Sequence, residues 1–298
     1  MTRRLASLAG CAAMAVGALA ACGDGPTDGG VVVTTNILGD VVREVAGDDV
    51  EVTVLMPAGA DPHSFEISAQ QAAAVESADL VVSNGLGLEE GVQHVVDAAE
   101  AQGVPVLAVG DLVDPLEYRE DASAGQLDPH FWTDPARMSL AVEHLTEALE
   151  EHAGVDPAEN AAAYLDELDA LDRHMGDAFD AIPADRRSLV TNHHVLGYLA
   201  DRYDFEVIGA VIPSGTTLAS PSAADLDSLA TAITQNDVPA IFADSSQPDR
   251  LAQVLADTAD IEVEVVSLYS ESLTAEGEAA TYLGMMRANT DAIASALS

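Results

Sequence analysis

The chain has 298 residues, 48% of them hydrophobic, and 51 acidic against 11 basic residues give it a formal charge of −40. All 11 basic residues are arginine, and a field of this sign repels nucleic acid and anionic headgroups and excludes both as charge-recognised partners. The acids are spread over most helical stretches, as on a solubilising surface, and raise the local cation concentration only weakly.

The chain opens with the basic Met1-Thr2-Arg3-Arg4, followed by an apolar run from Leu5 to Leu19. That run is shorter than the roughly 20 residues that span a bilayer with ease, so residues 1–21 read as a secretory signal. It closes on Leu19-Ala20-Ala21-Cys22, which resembles the lipobox of bacterial lipoproteins. The resemblance implies cleavage before Cys22 and acylation of its thiol, hence an extracytoplasmic protein anchored to the outer face of the cell membrane. Residues 22–30 are polar and Gly-rich and suit a flexible tether. With Cys11 in the signal and Cys22 acylated, no cysteine remains for a disulfide or a Cys-based zinc site, and a packed core must supply the stability.

Val31 to Thr35 is β-branched and reads as a strand; Ile37 to Ala46 is an amphipathic helix stopped by Gly47; Val50 to Leu55 is a second strand. Met56 to His63 is loop by its Pro and Gly content, and Ser68 with Gln71 has capping-box spacing ahead of an Ala-rich helix. Leu80 to Val82 is a strand, Glu89 to Ala101 a helix and Val104 to Val109 a strand. The glycines of Gly85-Leu86-Gly87-Leu88-Glu89-Glu90-Gly91 imitate a dinucleotide loop, but the last comes one position late for that fingerprint. Asp134-Pro135 is a good helix start. Between Pro157 and Pro183, Tyr164, Leu168, Leu171, Met175, Ala178 and Ile182 recur three or four apart, one apolar stripe on an uninterrupted helix. Roughly 25 residues at 1.5 Å each give roughly 38 Å, enough to run the length of the molecule. Alternation then resumes: strands at 189–191, 205–212, 240–243 and 262–268, helices at 195–203, 222–235, 248–259 and 275–297. The expected class is α/β, with two parallel-sheet lobes (residues 31–153 and 184–298) joined by one long helix (154–183).

Asp-Pro-His occurs twice, as Asp61-Pro62-His63 and Asp128-Pro129-His130, in a chain with eight histidines, and Asn192-His193-His194 adds a third site. Each of these histidines falls on a loop, most directly after a strand, and open α/β sheets bind ligands beyond the carboxyl ends of their strands. Imidazole is the commonest ligand for first-row metals, so the pattern predicts a metal site in the cleft between the lobes. Asp61 or Asp128 could accept the second ring N–H of its histidine and fix the tautomer. His193 and His194 compete for one position, since neighbours at a strand end point in opposite directions. His94, His144, His152 and His174 lie in helical stretches and read as surface or packing. Among carboxylates, Glu271 follows the last strand; Asp244 is the runner-up, or else a cap for the helix from Pro248; Glu66 reads as a support for the His63 loop. The irregular run 213–221 could rim the cleft or meet a partner.

Met56-Pro57 through Asp61-Pro62-His63-Ser64-Phe65-Glu66 resembles the first metal motif of the zinc/manganese ABC-transporter solute-binding proteins (cluster A-I, family 9). Leu127 to Pro135, Val190 to Tyr198, and Leu268 to Leu273 with Tyr282 to Asn289 resemble the second, third and C-terminal motifs. The resemblance implies a receptor, not an enzyme, with ligands His63, His130, His193 and Glu271, and a monomer that hands its ion to a cognate permease. Two departures stand out. Glu271 occupies a position where the family commonly has Asp, and the long His-rich loop of many zinc members is replaced by a short acidic segment between Leu112 and Leu127. Three nitrogens and one carboxylate favour Zn2+, with Mn2+ or Fe2+ as alternatives. A rival reading is a secreted zinc hydrolase with Glu271 as general base, although the chain lacks His-Glu-x-x-His. A third is a surface adhesin on the same fold.

Overall fold

The computed structural model describes residues 29–119, 121–259 and 261–298. The signal, Cys22 and the tether as far as residue 28 lie outside the described residues. The N-terminal half supplies strands β1 (Val31–Val33), β2 (Val52–Val54), β3 (Leu80–Ser83) and β4 (Val106–Ala108), and helices α1 (Asn36–Ala46), α2 (Ala69–Glu76), α3 (Gln93–Ala101) and α4 (Pro135–Ala148). Helix α5 (Ala158–Asp180) is the long connection. The C-terminal half supplies β5 (Ser188–Thr191), β6 (Glu206–Ala210), β7 (Ala240–Asp244) and β8 (Glu264–Leu268), with α6 (Gly197–Tyr203), α7 (Ala223–Gln235), α8 (Arg250–Thr258) and α9 (Tyr282–Leu297). Each half builds one four-stranded parallel sheet, ordered β2-β1-β3-β4 and β6-β5-β7-β8, so the two lobes share a topology. In this order the chain reverses direction beside the first strand of each sheet, where a crevice opens at the strand ends.

Side-chain alternation explains why both faces of each sheet are covered. Val32 and Val81 face outward to Val75, Val96 and Ala99 of α2 and α3, while Val31, Val33, Leu80 and Val82 face inward. In the second lobe, Val190, Ile241 and Ala243 pack on α7 and α8, and Leu189, Ala240 and Phe242 turn inward. The inward faces meet one layer made of α1, α4, α5 and α9, and this central core is continuous through both lobes. Of the stripe expected on α5, Tyr164, Leu168, Leu171 and Met175 are buried in this core and Ile182 joins them just past the helix end, while Ala178 is only half-buried and Phe179 faces the core in its place.

Several boundaries move for local reasons. The final helix starts at Tyr282, not at 275: Gly277 turns the chain at a φ of +97°, and Thr281 caps the helix through Gly284 N. Helix α3 starts at Gln93 because Glu89 is drawn inward to hold the preceding turn. The capping boxes of Ser68 with Gln71 and of Ser222 with Asp225 both form. Among the described residues, no helix is long and apolar enough to cross a membrane.

Candidate metal centre

Four loops at the carboxyl ends of strands bring four side chains together. His63 lies beyond β2, His130 on the loop entering α4, His193 beyond β5 and Glu271 beyond β8. One ligand atom from each lies within 4.8 Å of all the others, and the four residues are between 0% and 2% exposed. Nε2 of His63 is 3.3 Å from Nε2 of His130; Glu271 Oε1 is 3.2 Å from His193 Nε2 and 3.5 Å from His130 Nε2; Oε2 is 3.8 Å from His63 Nε2. Both oxygens of Glu271 and both ring nitrogens of His193 lack a hydrogen-bond partner among the described residues. Buried polar atoms are almost always partnered, so a cluster of orphans in one place is costly without a cation to receive their lone pairs.

The electrostatics agree. Burial, reinforced by His130 and His193, pushes the His63 imidazole down to about 2. Burial also holds His130 well below its ordinary value and lowers His193, the latter against the pull of Asp244, Asp61 and Asp128. Burial, with Asp244, Asp61 and Asp128 adding, holds Glu271 well above the carboxylate range. Short His-to-Glu distances therefore join groups that both favour the neutral form, and they are not ion pairs. Neutral imidazoles are the form that binds metal, and a divalent ion restores the carboxylate.

The surrounding residues divide the supporting work. Asp128 Oδ1 lies 2.7 Å from His130 Nδ1 and accepts from His130 N at 3.0 Å. This bond directs the proton to Nδ1 and leaves Nε2 as the lone-pair donor. Burial raises Asp128 to about 7, outweighing the bonds from His130 N and Tyr118. Asp61 does not do the same for His63, whose Nδ1 has no partner among the described residues; the expectation of a tautomer-fixing role holds only for Asp128. Asp244 is not part of the cluster, nor does it cap α8, whose N-cap is Asp249. Its Oδ2 accepts from Ser270 Oγ at 2.5 Å, Ser270 N at 3.2 Å and Glu271 N at 3.1 Å, and so fixes the loop that carries Glu271. His194 points away from the cluster to Asp121, 2.8 Å from Nε2. Glu66, His94, His152 and His174 are exposed and His144 is half-buried, all outside the cluster.

Tyr118 is a site neighbour that sequence reasoning missed. It rides on the short acidic segment, which Glu117 and Leu127 pair into a hairpin. Its hydroxyl lies 3.1 Å from His130 Nδ1, and its ring packs on Gly215, where a Cβ would come within 2.4 Å of the ring and hydroxyl. Loop 213–221 thus rims the cleft. Trp132 stacks edge-on to His130, with ring centroids 5.2 Å apart, and donates from Nε1 to Ser270 O at 2.9 Å, across the lobes.

Residues 31–296 match the family model described as "Zinc-uptake complex component A periplasmic". The chain belongs to this family, the ZnuA family. It is 34% identical over 278 residues to "Zinc-binding protein TroA" of Treponema pallidum (strain Nichols), covering 90% of this chain and 88% of that protein. It is 30% identical over 295 residues to "Manganese-binding lipoprotein MntA" of Halalkalibacterium halodurans, covering 94% and 95%. The solved structure of the periplasmic zinc-binding protein TroA from Treponema pallidum superposes with a TM-score of 0.83 at 32% identity, over 90% of this chain and 98% of that one. The fold is therefore the two-lobed α/β fold of these receptors, and the protein is a metal substrate-binding component of an ABC transporter, not an enzyme.

Proposed function

We propose that this member of the ZnuA family captures zinc outside the cytoplasmic membrane through His63, His130, His193 and Glu271, and delivers it to the permease of its importer. The observation that carries the reading is the spacing of the four ligand atoms. A zinc tetrahedron with bonds of about 2.0–2.1 Å has edges of about 3.4 Å, and the separations of 3.2 and 3.5 Å from Glu271 Oε1 to His193 and His130 and of 3.3 Å between His63 and His130 bracket that edge. Four donors complete the shell and leave no position for a reacting water, which argues against the hydrolase reading. Lobes of 31–153 and 184–298 flank 154–183 on the shared helical layer, and acylation of Cys22 holds the receptor at the membrane.

Manganese is the second reading, favoured by one observation. Both oxygens of Glu271 face the imidazole nitrogens, so the carboxylate can bind through two atoms and raise the coordination number. Competitive titration of metal-free protein with Zn2+ and Mn2+, with the metal content of the purified protein measured in parallel, tests the assignment. Zinc bound at one equivalent and much more tightly than manganese is expected; comparable affinities would sink the zinc assignment.

A further inference from the structure

The two Asp-Pro-His turns are built alike and used differently. In each, the aspartate Oδ1 accepts from the backbone N–H of the histidine two residues on, at 3.0 Å. Asp128 turns that oxygen also to its own ligand's ring. Asp61 instead spends its Oδ2 on three other donors: Ser64 Oγ at 2.9 Å within its own loop, and Thr217 Oγ1 at 2.6 Å and Gln247 Nε2 at 2.9 Å from the opposite lobe. The Asp61 residue is 8% exposed, so these bonds are made largely out of water. Gln247 carries the connection further. Its N–H donates to Asp244 O at 3.2 Å, and the Asp244 carboxylate holds Glu271 N. One line of contacts thus runs from the His63 turn through Asp61, Gln247 and Asp244 to the Glu271 turn.

We propose that Asp61 is a latch between the lobes, a positioning residue that keeps His63 against the ligands of the other lobe and sets how fast bound metal leaves. The inference rests on the four-ligand site proposed above. Hydrogen bonds to a carboxylate are among the stronger ones, and the two that cross the cleft must break before His63 can withdraw. An ion entering an open cleft meets neither bond, so the latch acts on dissociation and leaves capture alone. The repeated motif then supplies one aspartate that tunes a ligand and one that ties the lobes.

Thr217→Val with Gln247→Leu removes both cross-cleft donors at nearly constant shape and touches no ligand. Zinc-loaded protein is mixed with excess chelating dye to read dissociation, and association is measured separately. Loss of two hydrogen bonds to a carboxylate predicts dissociation about tenfold faster or more, with association within about twofold of wild type. Ser64→Ala is the control, since it removes a donor to the same oxygen without crossing the cleft, and its dissociation rate is expected to stay within about twofold. Wild-type dissociation from Thr217→Val/Gln247→Leu overturns the latch, as does an equal acceleration in Ser64→Ala. If the paired variant does not fold, Gln247→Leu alone carries the test, with dissociation expected about threefold faster or more. A wild type that takes up no stoichiometric zinc would instead refute the four-ligand site, so the two failures are told apart.

Discussion

Replacing Asp128 by asparagine keeps the shape of the His130 arm and removes its charge. The amide oxygen can still accept from His130 Nδ1, at 2.7 Å, and from His130 N, at 3.0 Å. What is lost is the difference between a charge-assisted and a neutral hydrogen bond, about 1–1.5 kcal/mol, or about five- to tenfold in zinc affinity. The effect also depends on pH. Burial places Asp128 at about 7, so below that pH the metal-free carboxyl holds a proton that metal binding must expel. The wild type then loses up to about 1.4 kcal/mol of binding per pH unit below 7 through this group, a loss that asparagine does not share. The expected gap in zinc Kd is near its full value at pH 8 and nearly closed at pH 6. Competition against a chelating dye at pH 6, 7 and 8 measures it, with the metal-free melting temperature as a check on folding. Equal affinity of the two proteins at pH 8, or a gap that does not change with pH, would refute the reasoning.

Glu271 offers a second test. Its pKa lies well above the carboxylate range through burial, with Asp244, Asp61 and Asp128 adding, so the metal-free protein keeps a proton there to higher pH than a free carboxyl does, and a bound ion expels it. Proton release on zinc binding, from this group and in part from Asp128, is expected in weakly buffered solution; Glu271→Gln should leave only the Asp128 share, and no release by wild type would contradict the scheme. The same group links folding to pH: its pKa is raised in the folded state, so the stability it contributes is full below the ordinary carboxylate pKa and is lost, by up to about 1.4 kcal/mol per unit, as pH rises toward the folded value. A metal-free Glu271→Gln protein whose melting temperature follows pH just as the wild type's does would exclude this. Leu171→Ala, in the core shared by both lobes, should cost about 2–5 kcal/mol, or about 2–4 °C per kcal/mol in melting temperature. Glu167→Ala on the exposed face of the same helix should cost under about 0.5 kcal/mol, and equal losses would refute the packing assignment.

The cluster was legible because its histidines lie in repeated short motifs at strand ends, where topology alone dictates convergence. The long helix was legible because Tyr164, Leu168, Leu171 and Met175 keep a 3.6-residue period between two prolines. Helix α4 was recognised only at its Asp134-Pro135 start, although Met138, Ala141, Val142, Leu145 and Ala148 repeat the same period. Tyr118 carried no signal, because its importance comes from a glycine 97 residues away. Asp61 and Asp128 could not be told apart for a similar reason. The motif fixes the turn and the bond to the histidine N–H, but the remaining oxygen is assigned by residues from other loops, and for Asp61 two of these lie 156 and 186 positions downstream.

The chain contains a single tryptophan, and it is Trp132, lodged between His130 and the Ser270 carbonyl. The receptor therefore carries a native fluorophore with no competing indole background. Parting of the lobes would expose this indole to solvent and shift its emission to the red, while a change in the state of His130 would alter its quenching. Occupancy and opening become two optical signals from one unlabelled residue, and their time courses can be compared within a single sample.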